Sequence, residues 1–267
     1  MRTESQSYEI WEQGDDVLRH IERCARVSYR SGDRMTGSTA PAFVQSLIRN
    51  GHHAALEHGT VYLFGDERLA DIVRWNRFAR AVFIDGRTYI TVDYRNKMYM
   101  DKEHPELRKM YDECVPTVFH EKRLTVAFVL SRAIANEFVR HRAFSFIQES
   151  TRWVDYSKER FGHEVVFIMP EEGSWSPLME ESFKRAEKAY FELLSEGARL
   201  ERARDVLPLA TKTVLVMTGY RDSWRDFFTL RTARNAHPDA RALACALRDD
   251  PRMRAFMGEI GEKSDAR

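Results

Sequence analysis

The sequence predicts an α+β fold, a mixed sheet packed with helices, on three observations. Apolar residues recur at helical spacing in some stretches and as short β-branched runs in others. The two kinds are interspersed without the regular strand–helix–strand alternation of a doubly wound sheet. No GxGxxG follows a predicted strand, so any nucleotide site is not of the Rossmann type. With 267 residues, 43% of them hydrophobic, the chain can bury a substantial core, and a single domain spanning 1–267 is expected.

In chain order, Val17, Leu18, Ile21, Cys24 and Ala25 share one face of a first helix. Residues 39–50 repeat the pattern with Phe43, Val44, Leu47 and Ile48, bracketed by Pro41 near the start and Gly51 past the end. Strands are expected at 60–64, 89–92, 124–130 and 165–169, which are β-rich in composition. Residues 131–142 read as a short helix. A long helix follows at 177–202, with Leu178, Met179, Phe183, Ala186, Tyr190, Leu193 and Leu194 inward. A segment at 213–217, a helix around 223–230 and a final helix at 238–248 complete the set, and the polar tail 261–267 is expected to fray.

Charge and cysteine usage narrow the function. The 42 basic and 41 acidic side chains nearly cancel, so no whole-molecule field draws the chain to nucleic acid or an anionic membrane. Cys24, Cys114 and Cys245 are odd in number and far apart, without ligand spacing, which argues against a disulfide framework or a zinc module and fits a reducing cytoplasm. The first ten residues have no apolar signal core, and no apolar run approaches the roughly 20 residues that span a bilayer. A soluble, cytoplasmic protein is expected.

Chemistry concentrates in three places. Residues 140–153 hold Arg140, His141, Arg142, Ser145, Gln148, Glu149, Ser150, Thr151, Arg152 and Trp153. Arginines at a helix end commonly do no more than offset the helix dipole. Here they run into a polar turn whose forked donors and hydroxyls suit a phosphate and a uracil-like edge, so an anion or nucleotide site is the better reading. Residues 51–58 contain His53, Glu57 and His58, but HExxH is absent, so no metal is expected and a hydrogen-bonded turn carries equal weight with a functional role. Arg204 and Arg231, in the stretches 203–208 and 224–231, are ordinary helix-end arginines taken singly.

Together these stretches resemble the flavin-dependent thymidylate synthases. Arg-His-Arg-x-x-Ser-x-x-x-x-Ser-x-Arg, residues 140–152, looks like the family signature, and the resemblance to longer bacterial and phage members is closest over 144–153. It extends upstream to Ala25-Arg26-Val27-Ser28 and the Gly-His-x-x-x-x-Glu-His of 51–58. Downstream it takes in Ala-Arg-x-Val-Leu-Pro at 203–208 and Leu230-Arg231. The resemblance implies a homotetramer, with FAD, dUMP and folate stacked at subunit interfaces. The implied reaction methylates dUMP to dTMP with 5,10-methylenetetrahydrofolate, NADPH and FAD.

By position, the resemblance puts Arg140, His141 and Arg142 on FAD, with Thr60, Gln148, Tyr220, Asp222 and Asp226 also flavin-facing. Glu137, Arg140, Gln148, Glu149, Ser150, Thr151, Arg152, Arg204 and Arg231 fall to dUMP, and His58 to the flavin and folate pocket. Arg231 is the candidate catalytic residue, because a permanently charged guanidinium can stabilise negative charge on uracil N3 and O4. Ser150 lacks a histidine base beside it and reads as a phosphate ligand. The chain departs from the common motif at Ile147 and Gln148, where Asn and Glu are usual. Further departures are Tyr220, Asp222 and Asp226, in place of Asn and Arg flavin contacts, and residues 233–237, in place of Asp-Ser-His-Ala-Gln. Residues 66–122 look like an insertion that adds strands at an edge. Three alternatives stay open at this point: a non-catalytic RNA- or nucleotide-binding protein, a metal-dependent hydrolase built on His53, Glu57 and His58, and a diverged synthase that has lost turnover.

Overall fold

A computed structural model describes residues 1–73, 76, 78–170 and 175–258; the tail 261–267 lies outside them. The elements in chain order are β1 (Arg2–Glu4), β2 (Ser7–Trp11), α1 (Val17–Arg26), α2 (Ala40–Arg49), β3 (Thr60–Gly65), α3 (Arg68–Val73), β4 (Ala79–Ile84), β5 (Arg87–Asp93), α4 (Tyr94–Glu103) and β6 (Tyr111–Glu113). They continue with β7 (Arg123–Ser131), α5 (Arg132–Phe138), β8 (Ser145–Gln148), β9 (Val166–Ile168), α6 (Pro177–Ser195), α7 (Leu200–Ala203), β10 (Lys212–Tyr220), α8 (Arg221–Arg231), α9 (Pro238–Asp249) and α10 (Pro251–Gly258). The mixture is α+β, as the interspersed periodicities predict.

The central sheet runs β2-β7-β10-β8, all antiparallel. β7 and β10 pair along their full length, from Lys212 opposite Ser131 to Tyr220 opposite Arg123. Alternation along these strands sends Val126, Phe128, Leu130, Leu215 and Met217 into a core with Phe138 of α5, Trp224 and Phe227 of α8, and Leu243 of α9. The other face carries Ala127 and Val216 against Cys24 of α1. Gly219 is required here: a Cβ on it would lie 2.5 Å from the buried Phe144 ring, which seats the start of β8 on β10.

A second antiparallel sheet, β4-β5-β3-β6, takes three of its strands from 66–122 and closes over Leu63, Leu69, Ile90 and Val92. This segment therefore builds a sheet around β3 instead of extending the edge of the central one. β1 and β9 form a short parallel pair beside α6, above Tyr156, Phe167 and Tyr190.

Several boundaries differ from the sequence reading. The helix expected at 177–202 stops at Ser195, because Gly197 adopts φ 89° and turns the chain before α7. Leu178, expected inward, is exposed on its first turn. The helix expected at 131–142 ends at Phe138, and 145–148 is a strand, not a polar turn. β1, β2, β6, α3, α4 and α10 carry periodicities too short or too polar to read from sequence, and the six-residue β4 is a further strand not expected there.

A cationic cleft and a separate arginine–glutamate–histidine cluster

β8 hands the chain from Gln148 to a turn at 149–153, and that turn lines a cleft of about 500 Å³. The floor is apolar, with Ala25 of α1, Leu47 of α2, Ala54 and Ala55, and Ile147 of β8. The rim carries Ser28, Tyr29, His52, Gln148, Ser150, Thr151, Trp153 and three guanidiniums, Arg132, Arg152 and Arg204. An apolar floor with a few convergent polar groups is the usual make-up of a small-molecule site.

Local contacts explain the arrangement. The Ser150 N–H donates to the Ser28 carbonyl at 3.1 Å, tying the turn to the end of α1. Arg26 is structural: it is buried and ion-paired with Glu22 at 2.5 Å, and it also donates to the Ser31 carbonyl. Arg204 donates to Thr151 Oγ1 at 3.2 Å, which brings the 203–208 stretch onto the cleft. Gln148 Nε2 donates to Thr213 Oγ1 at 3.2 Å. Tyr29 hydroxyl meets His52 Nδ1 at 3.2 Å and its ring packs against Trp153.

Glu149 turns inward from the same segment and is 3% exposed. It accepts from the Tyr156 hydroxyl at 3.2 Å, with Lys212 Nζ at 3.9 Å and Arg30 Nε at 4.0 Å. Burial raises its pKa, opposed first by Lys212 and then by Arg30.

Arg231 lies elsewhere, at the end of α8, outside the residues lining this cleft. It donates to Glu137 Oε2 at 2.5 Å, to the Glu137 carbonyl at 2.6 Å and to His141 Nε2 at 2.9 Å. Burial and the Arg231 charge push His141 down to about 4, so its neutral ring can accept this bond. The structure thus gathers Glu137, His141 and Arg231 in one cluster and Gln148–Arg152 with Arg204 in another. Arg140 and Arg142 are exposed after α5, and Asp226 is exposed on α8.

Of the remaining expected flavin neighbours, Thr60, Tyr220 and His58 sit deeper and Asp222 is exposed. Thr60 is buried, accepts from Arg123 Nη1 at 3.3 Å and borders a second cavity of about 580 Å³ with Trp11, Tyr62 and Tyr94. The Tyr220 hydroxyl is interior and donates to the carbonyls of Phe78 and Thr91 at 3.0 and 2.9 Å. Asp222 is ion-paired with Arg80 at 2.9 Å. His58 is fully buried, bonded through Nδ1 to Thr218 Oγ1 at 2.7 Å, and its Nε2 has no hydrogen-bond partner among the described residues. Among the side chains expected to face FAD, the two arginines after α5 suit such a group and Tyr220 does not. Arg140 and Arg142 offer exposed guanidiniums suited to a diphosphate. The Tyr220 hydroxyl proton is already committed to the interior.

His53, Glu57 and His58 turn to Tyr99, Arg95 and Thr218 respectively, so they do not converge on one ion, and no described cluster has the ligands to hold one. That removes the ligand set on which a metal-dependent hydrolase rested. No helix of the described residues is long and apolar enough to cross a membrane. Motif reasoning did not single out Arg132, Tyr29 or Ser28 as cleft residues. Ser28 closes the Ala25-Arg26-Val27-Ser28 stretch, which carried no role, while Arg132 and Tyr29 are lone residues at element ends, without a spacing signal, brought to the cleft only by tertiary packing.

The fold and the cleft define an α+β protein with a cationic, nucleotide-sized site. Residues 78–253 match the family described as thymidylate synthase complementing protein, and the chain belongs to that family. It is similar to the flavin-dependent thymidylate synthase of Synechocystis sp., 27% identical over 164 residues, covering 55% of this chain and 76% of the relative. A probable flavin-dependent thymidylate synthase of Paramecium bursaria Chlorella virus 1 is 27% identical over 146 residues, covering 50% and 68%. The enzyme of Geobacter sulfurreducens is 32% identical over 115 residues, covering 43% and 50%. Among solved structures, a UMP/dUMP methylase of Streptomyces cacaoi bound with 5-Br dUMP aligns over 97% of this chain and 94% of its own, at 18% identity and a TM-score of 0.46, too loose a likeness to add to the argument.

Proposed function

We propose that the chain is a flavin-dependent thymidylate synthase. The reaction takes dUMP, 5,10-methylenetetrahydrofolate, NADPH and a proton to dTMP, tetrahydrofolate and NADP⁺. The observation that carries this reading is the convergence of Gln148–Arg152 and Arg204 on one cleft in a member of this family.

Arg152 and Arg204 bind the nucleotide phosphate at the rim, and the apolar floor takes the sugar and base edge. Gln148 and the hydroxyls of Ser150 and Thr151 supply directional bonds. Arg231 stabilises negative charge on the uracil; neutral His141 and Glu137 hold its guanidinium in a fixed orientation until substrate arrives. Arg231 does not line the cleft of its own chain, and the homotetramer that the family resemblance implies would let it act on the cleft of a second copy. Arg140 and Arg142, with Asp226 nearby in sequence to Arg231, would hold FAD, which when bound carries hydride between NADPH and the methylene group. The protein's own part is positioning and electrostatics.

The test is a visible spectrum of the purified protein after FAD loading and removal of excess. A retained yellow chromophore that bleaches under anaerobic NADPH, faster with dUMP present, is expected. Failure to retain or reduce FAD in the presence of dUMP would overturn the flavoenzyme reading.

A further inference from the structure

The charges around the cleft do not balance. Its lining carries three guanidiniums, Arg132, Arg152 and Arg204, and one carboxylate, Glu149. That carboxylate is already faced by Lys212, Arg30 and the Tyr156 hydroxyl. Arg204 is held by Thr151, a neutral acceptor. Arg132 follows directly on Ser131, at the end of β7, where its backbone N–H donates to the Thr211 carbonyl at 3.0 Å and fixes the chain. Its side chain is half-buried, and no described carboxylate forms an ion pair with it. Burial works most against its charge and Arg204 adds to that, while Tyr156 and the more distant Glu149 carboxylate act in its favour. A half-buried guanidinium close to another, with no described carboxylate within ion-pairing distance, is costly unless an anion completes the site.

We propose that Arg132 is a third ligand of the phosphate bound by Arg152 and Arg204, and that it gives the cleft its preference for a dianionic phosphomonoester over a neutral nucleoside. None of the motif stretches contains Arg132, so the assignment comes from its place in the cleft alone. It rests on the reading that this cleft takes dUMP. Two arginines would be matched by one phosphate dianion; the third, with Glu149 already occupied, makes the site electropositive even when filled and draws the dianion from solution. Arg132 also approaches from β7 and α5, while Arg152 and Arg204 come from the 149–153 turn and the end of α7. The three therefore surround the anion from separate elements.

Equilibrium binding of dUMP, deoxyuridine and inorganic phosphate to the full-length wild type, Arg132→Gln and Arg132→Lys tests this, with thermal melts to establish folding. Loss of one charge-assisted contact to phosphate predicts a dUMP affinity about 10- to 100-fold weaker in Arg132→Gln. Deoxyuridine affinity should stay within about twofold, since the contact is absent there. Inorganic phosphate should compete with dUMP in the wild type and lose most of that competition in the variant. Arg132→Lys keeps the charge without the fork and should fall between the two, which also serves if Arg132→Gln does not fold. Equal dUMP affinity in the wild type and the folded variants would overturn the role of Arg132 while leaving the dUMP reading in place. Equal losses for dUMP and deoxyuridine would show a purely structural role and overturn it too. Failure of the wild type to bind dUMP at all would overturn the function on which it rests.

Discussion

At the residue scale, the most unusual group lies outside the cleft, with His20 and Thr125 bordering the second cavity. His20 Nε2 meets Thr125 Oγ1 at 3.0 Å, Thr125 Oγ1 meets Thr218 Oγ1 at 2.7 Å, and Thr218 Oγ1 meets His58 Nδ1 at 2.7 Å. Three hydrogen bonds need three protons and the two hydroxyls supply at most two, so at least one of the imidazoles donates into the chain. Burial pushes His20 down to about 4 and His58 down to about 3, so both are neutral at neutral pH. In the unfolded chain each returns to the ordinary histidine value near 6.5. As pH falls below that value the unfolded state takes up protons that the folded state refuses, so stability is lost progressively from about pH 6.5 toward about pH 4. The melting temperature should therefore drop between about pH 7 and about pH 5. The drop should be shallower in His58→Gln, which removes one such group. A flat profile, or an identical slope in the variant, would contradict this.

At the element scale, β8 and β10 decide whether the motif reaches the cleft. Phe144 packs edge-on against Trp224 and lies over Gly219, so β8 docks where the glycine leaves room. Gly219→Ala forces overpacking against a ring held by buried neighbours and should cost about 1–3 kcal/mol. Urea unfolding measures it, and a midpoint equal to the wild type's would show that β8 is not seated by this contact. The same pair of elements shows what the sequence made legible. The run of hydroxyls and arginines ending at Ser150 and Arg152 points to an anion site and the family resemblance adds Arg204, and the turn's bonds to Ser28 and Arg204 bring them together. β8 itself was read as a polar turn because Ser145 and Gln148 conceal a four-residue strand that is defined only by pairing with β10. The break after Ser195 was hidden for a different reason: apolar spacing continues across Gly197, and only its left-handed backbone ends the helix. The resemblance gives Tyr220 to the flavin. Its burial follows from the second sheet, where the Thr91 carbonyl of β5 and the Phe78 carbonyl just before β4 share its hydroxyl proton, and no local signal announces that.

At the scale of the whole molecule, a net charge of +1 leaves the electrostatics local. One chain presents a cleft with three arginines on one side and the Arg231–Glu137–His141 cluster on another. In the proposed assembly each cleft receives Arg231 from a neighbouring copy, and exposed Leu230 beside it would be covered at the same contact. The central claim is that this arrangement methylates dUMP, which requires loss of the hydrogen at uracil C5. The most direct measurement is tritium release from dUMP labelled at C5, with the purified protein, FAD, NADPH and 5,10-methylenetetrahydrofolate, and with each component left out in turn. The account predicts release that depends on all of them, accompanied by dTMP. A protein that retains and reduces FAD and binds dUMP, yet releases no tritium in the complete mixture, would contradict it.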